Sequence, residues 1–293
     1  MRHNAFTVVL ATVATLFSVS CNKEDYKDDG PSTLPREKVS RIYSTAHIVS
    51  EMLSPITGTW ITLMDITNDR SLLCEFTWNG ECLEGMKTAM STYSFVYDDS
   101  GRLIRAECMD NSDKHYEFTY NADGLLVRIV AFTKDSDGGL DSKRTSDFTW
   151  ADGHLLKAEE DYWARRVNGD ESTSRSTHIY TWDGDDVSST KRTTLNGDGT
   201  TEVFNYAYEY TSIANPLQGF VLSQDCYFGL VWSFEGIDGL SDHLLAHVVS
   251  DNADVTYEYT VSGDRVSTIN KHYVAQSDDT MRMITDTFFE FEY

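Results

Sequence analysis

The chain is poor in proline, in basic residues and in long apolar runs, and each shortage removes a class of protein. Its 293 residues hold 4 prolines, and beyond residue 35 only Pro55 and Pro216 remain. No proline-rich linker therefore divides that part of the chain into separate domains. With 24 Lys and Arg against 47 Asp and Glu, the net charge is −23 and the pI lies near 4.5. Such a balance excludes nucleic acid as a partner and adsorption to anionic headgroups. No apolar stretch reaches the ~20 residues that a membrane-spanning helix needs. A glycine-rich phosphate loop, a Gly-x-Ser-x-Gly elbow and a Cys/His zinc pattern are all missing. No catalytic residue, metal ligand or cofactor is assigned on that basis. Helical periodicity is also scarce, and only Ser44 to Leu53 and Asp242 to Val249 are expected to form short helical turns.

What is present begins with a leader. Arg2 and His3 precede an apolar run from Phe6 to Phe17, and Ser18, Val19 and Ser20 lead into Cys21. Charge, apolar core and small residues in that order make a secretory signal. The small residues before Cys21 resemble a bacterial lipobox, which implies that its thiol is acylated and becomes the mature first residue. Lys23, Glu24 and Asp25 resemble the export signal of surface lipoproteins in Bacteroidetes-type bacteria, implying an outer-membrane protein, lipid-anchored and facing the medium. The expected map is a signal peptide over residues 1–20, a lipidated Cys and flexible tether over 21–36, and one β domain over 37–293.

The β domain is organised around Tyr93 to Ala106, YSFVYDDSGRLIRA. Tyr93, Phe95 and Tyr97 alternate, a polar turn ends at Gly101, and a return strand presents Leu103 and, three residues later, Ala106. Alternation of period two places one set of side chains on each sheet face, and the glycine supplies the positive φ of a tight turn. Looser copies recur at Phe76–Leu83, Tyr116–Ile129, Phe148–Ala158, Ile179–Thr190 and Tyr257–Ile269. Their last aromatics stand 19 to 32 residues apart, too unevenly for identical coils. Successive hairpins pair with their neighbours, so the expected fold is all-β: a long antiparallel meander forming a strongly curved sheet or partly closed barrel. Its aromatic face is expected to turn inward and its Glu- and Thr-bearing face outward.

Tyr97 to Leu103, YDDSGRL, resembles the YD repeats of Rhs-type surface proteins. With the leader, the whole chain resembles an uncharacterised lipoprotein family of gut Bacteroidetes whose domain has a porin-like β fold. That resemblance implies the fold and brings no catalytic residues.

Among individual residues, Trp163 beside Tyr162 is the candidate for stacking on a glycan, because it follows a completed repeat. His243 and His247 stand four apart without a neighbouring Glu and are expected to be core or edge histidines. Asp135, Asp137 and Asp141, and Asn196, Asp198 and Glu202, resemble fragments of calcium loops and are expected to be turns. The Asn79-Gly80 turn is expected to pair Thr77 with Cys82. Once Cys21 is acylated, Cys74, Cys82, Cys108 and Cys226 remain, free or bridged. Three functions follow. The first is a non-enzymatic surface lipoprotein binding a glycan or an envelope protein, and the second is an envelope hydrolase built from dispersed carboxylates. The third is an outer-membrane β-barrel channel; most alternating runs, at five to eight residues, fall short of the ~9–11 that a membrane strand needs.

Overall fold

The computed structural model describes residues 38–80, 82–88, 91–134, 140–165, 169–215, 240–263, 265–278 and 280–293. The residues of the expected leader, Cys21, Lys23, Glu24 and Asp25 of the expected export signal, Asp135, Asp137, Cys226 and Trp232 lie outside them. The strands are β1 (Arg41–Leu53), β2 (Trp60–Asn79), β3 (Cys82–Thr88), β4 (Thr92–Tyr97), β5 (Leu103–Cys108), β6 (His115–Tyr120), β7 (Leu126–Lys134) and β8 (Leu140–Ala151). They continue as β9 (His154–Arg165), β10 (Glu171–Asp183), β11 (Asp186–Asn196), β12 (Thr201–Ala214), β13 (His243–Ser250), β14 (Ala253–Ser262), β15 (Arg265–Asp278) and β16 (Met281–Glu292). Each pairs antiparallel with its chain neighbours, and β1 pairs with β16 from Arg41↔Glu292 to Met52↔Met281. The sixteen described strands thus form a closed barrel without a free edge.

Closure goes beyond the partly closed barrel of the sequence reading. Its driving force is legible in register: Ile42 faces Phe291 and Ser44 faces Phe289, so the two end strands bury one continuous inner row. Ser44 to Leu53 and Asp242 to Val249 are not helical turns. The first lies within β1, and the second enters β13 after Asp242, both held by strand partners on each side. The strands also outrun their aromatic cores; β8 to β12 and β14 to β16 have 10 to 14 residues. Thr- and Ser-rich stretches such as Glu171–Thr177 extend them, and β-branched or small polar residues fit a wet pleat.

A bulge accounts for the three-residue step of each return strand. Val96 pairs with Arg105 but Tyr97 with Leu103, so Ile104 is extra and both Leu103 and Ala106 point inward. The same slip sets Thr119↔Arg128 against Tyr120↔Leu126, Thr149↔Lys157 against Trp150↔Leu155, and Thr181↔Ser189 against Trp182↔Val187. It also shifts the first hairpin. Asn79 pairs with Cys82 and Thr77 with Gly85, instead of Thr77 with Cys82.

At six of these bulges an aromatic side chain from a later strand donates to the carbonyl beside the bulge, and Val39, ahead of β1, receives one in the same way. Trp78 Nε1 donates to the Val39 carbonyl at 2.8 Å, Tyr97 Oη to Leu83 at 2.7 Å, and Tyr120 Oη to Leu103 at 2.8 Å. Trp150 donates to Leu126 at 2.7 Å, Trp182 to Leu155 at 2.9 Å, Tyr210 to Val187 at 2.8 Å and Tyr293 to Val266 at 2.9 Å. A bulge leaves its extra residue, such as Ile104, outside the ladder, and the phenol or indole bonds the carbonyl of the residue just before it. Val261 stands where the other hairpins have Tyr or Trp, and a valine side chain can donate nothing. The residue ahead of the apolar step covers the ring: the Arg102 guanidinium lies 5.4 Å from the Tyr120 centroid and Arg265 5.4 Å from Tyr293. His154 stacks on Trp182 at 4.3 Å.

This girdle surrounds the rim that carries Lys38, Tyr293 and the glycine turns. Inside it sits one apolar core, including Ile42, Phe76, Ile129, Val187, Leu245 and Ile269. Toward the opposite rim the inner rows turn polar.

Candidate functional site

Alternation carries each strand's polar residues to one of two surfaces. On β10 the inner row is Ser172, Ser174, Ser176, His178 and Tyr180, while Thr173, Arg175, Thr177 and Ile179 face out. The outer wall is charged around its circumference. Arg128 Nε meets Asp147 at 2.6 Å, Arg175 Nε meets Asp161 at 2.6 Å, His272 meets Asp286 at 2.6 Å and His47 meets Asp65 at 2.8 Å. Exposed pairs of this kind are well solvated and contribute little to stability.

Tyr162 and Trp163 fall on opposite sides of this wall. Tyr162 faces inward, cross-strand from Arg144 and Ser174, with the Arg144 guanidinium 5.3 Å from its ring. Trp163 faces outward between Lys143 and Thr173. Two consecutive strand residues cannot form one platform, so the pair expected from sequence is divided. Trp163 lines a shallow recess of about 440 Å³ with Lys143, Asp161, Thr173, Arg175 and Leu195, and Tyr162 also contributes to its lining. Gly197 closes its edge. A Cβ there would stand 2.9 Å from the Thr173 carbonyl oxygen, so the turn approaches the floor only because residue 197 lacks a side chain.

The inner wall of β10 to β12 is the richer surface. Arg192 on β11 lies between His178 and Phe204, its cross-strand neighbours. Its guanidinium stacks 4.4 Å from the Phe204 centroid and 6.0 Å from Tyr206, a cation–π arrangement. The buried Arg192 Nε has no hydrogen-bond partner, and neither does Oγ1 of Thr190 two residues before it. Thr190 is 5% exposed and His178 5%. Burial, and then the Arg192 charge, lower the His178 pKa to about 4, so the imidazole is neutral at pH 7. Next to them Ser176 and Thr194 share a hydrogen bond of 2.9 Å. Elsewhere on the inner wall Arg144 has Glu160 at 3.6 Å. Neither Arg192 nor Thr190 was singled out from sequence; the cue is visible afterwards as Thr190, Arg192 and Thr194 alternating along one strand.

The remaining candidates take structural places. His243 Nδ1 lies 2.8 Å from Asp186 Oδ2, tying β13 to the start of β11, and His247 sits between Glu209 and Asp254. Asn196 ends β11 and Glu202 lies in β12, and in the turn between them, Gly197 to Thr200, Asp198 Oδ1 accepts from the Thr200 amide and hydroxyl. Among the described residues no group of three or more His, Cys, Asp or Glu could hold a metal ion. Cys74 and Cys108 are free and buried, and burial pushes the Cys74 thiol up to about 12. Cys82 is disulfide-bonded.

No protein-family model matches the chain, and no curated protein does. Among solved structures it resembles a porin-like protein from Bacteroides uniformis, at 14% identity and a TM-score of 0.45, over 87% of this chain and 98% of that one. A porin-like protein from Bacteroides vulgatus aligns over the same shares at 10% identity and a TM-score of 0.48. OpdQ of Pseudomonas aeruginosa aligns over 87% of this chain and 98% of its own at 9% identity and a TM-score of 0.31.

Proposed function

We propose that the chain is a porin-like barrel of the bacterial outer envelope that receives a small solute into its lumen. One observation carries the reading: the barrel is closed, with an apolar core at the terminal rim and polar inner rows toward the other. Closure replaces the open concave face on which binding of a large glycan or an envelope protein would depend. A cup is the shape that results. Acylation of Cys21 and export through Lys23, Glu24 and Asp25 remain the proposed route to the outer membrane, and the ion-paired outer wall suits a barrel tethered beside the bilayer. Trp163, in its outer recess with the Arg175–Asp161 pair, is a secondary place for a sugar ring.

A second reading, the outer-membrane channel, is favoured by the closed ring itself and by β8 to β12 and β14 to β16, which reach membrane-spanning length. It requires the outer wall to accept lipid and the core to open. Thr194→Cys in the full-length mature protein, probed with a charged methanethiosulfonate reagent, tests access to the lumen. Rapid labelling is expected; absence of labelling in the folded protein would remove the solute-receiving reading. Planar-bilayer conductance separates the channel from the cup.

A further inference from the structure

Among the described residues the inner wall holds an arginine, Arg192, with no carboxylate partner, in a chain of net charge −23. Arg41, Arg70, Arg128, Arg144, Arg175 and Arg282 each meet a carboxylate within 4 Å. Arg192 has only aromatic faces against it, its Nε without a partner. Leaving a buried donor unpaired costs free energy unless something else satisfies it. The same applies to Thr190 Oγ1, which is closer to the core and 95% buried.

We propose that Arg192 and Thr190 form a lumenal site for the carboxylate of a small sugar acid. Two residues apart on β11, Arg192 and Thr190 project from the same face, and each can donate to a carboxylate. Phe204 already occupies one guanidinium face, which fixes the plane of the fork. The neutral His178 across from it adds no second positive charge. Tyr206 on β12 offers an aromatic surface for a sugar ring, and the Ser176–Thr194 hydroxyl pair offers partners for ring hydroxyls. A multiply charged phosphate would bring more charge than the single guanidinium balances, so a monovalent carboxylate is the better match.

The inference rests on the lumen being reachable, and the test keeps the two apart. Isothermal titration of the mature full-length protein with glucuronate is expected to give saturable binding, with glucose giving none. Arg192→Gln is expected to weaken glucuronate about 30-fold or more, the usual loss when one partner of a buried charge pair is removed. Thr190→Val is expected to weaken it as well while raising the melting temperature of the free protein, because a buried unsatisfied hydroxyl is deleted. A merely structural threonine would not raise stability on removal. Absence of glucuronate binding in a protein whose Thr194→Cys variant labels readily would overturn the site and leave the lumen reading intact. Equal binding of glucose, or an unchanged affinity in folded Arg192→Gln, would overturn it too.

Discussion

Tyr120 donates its phenolic proton to the carbonyl of Leu103, 2.8 Å away on the preceding hairpin, immediately before the bulged residue Ile104. The same relation joins Trp150 to Leu126 and Trp182 to Leu155. Each repeat is therefore locked to the one before it by a side chain as well as by strand pairing, and the repeating aromatic is a register device.

Removing that donor while keeping the ring isolates its worth. Tyr120→Phe is expected to destabilise the barrel by about 1–2 kcal/mol, the net hydrogen bond plus the cost of the stranded carbonyl. A urea midpoint lowered with an unchanged slope would report it. No change in midpoint would mean that water satisfies Leu103 equally well.

Gly197 is constrained by space. Its missing Cβ would lie 2.9 Å from the Thr173 carbonyl oxygen, whereas Gly199 has nothing within 4 Å but a φ of +85°. Gly197→Ala is expected to cost ~1–3 kcal/mol through displaced backbone. Chemical denaturation measures the loss, and retained stability would show that the turn can slide off the recess.

His178 should make stability depend on pH. Its pKa falls to about 4 on folding, through burial first and the Arg192 charge second, from an ordinary 6.5. The unfolded chain then binds the proton more readily, so stability is complete above pH 6.5 and declines as pH drops toward 4. The loss is on the order of 3 kcal/mol. The difference in melting free energy between wild type and His178→Gln, followed from pH 7 to 4, isolates this residue from the acidic surface. A parallel pair of curves would remove His178 as a source of the slope.

Cys74, held near 12 by burial, is expected to resist alkylation in the folded protein and to react on unfolding. Mass spectrometry after iodoacetamide treatment at neutral pH checks it; modification of Cys74 without denaturant would mean that the core opens.

Much of the wall was legible in the chain because period-two alternation and glycine turns are local. Tyr116, Phe118 and Tyr120 read as one face and Glu117 and Thr119 as the other, and they are so placed. The step from Leu103 to Ala106 was visible as a pattern, but its cause, an extra residue at Ile104, depends on the partner strand. Ring closure could not be read because β1 and β16 are joined by a pairing of the two ends of the domain. Trp163 and Tyr162 illustrate the same limit at the site level: both are aromatic and adjacent, and the pleat separates them. The Arg192 surface escaped notice because an unpaired charge is defined by what fails to approach it from other strands.

The proposed cup is closed, with a filled terminal rim and an outer wall in water, and the channel differs from it in that outer wall. The most direct measurement is on a fragment covering residues 22–293, expressed without its leader and purified without detergent. A monodisperse, β-rich protein with a cooperative melt and no conductance in planar bilayers is the expected result. A fragment that folds only in detergent and conducts ions across a bilayer would contradict it.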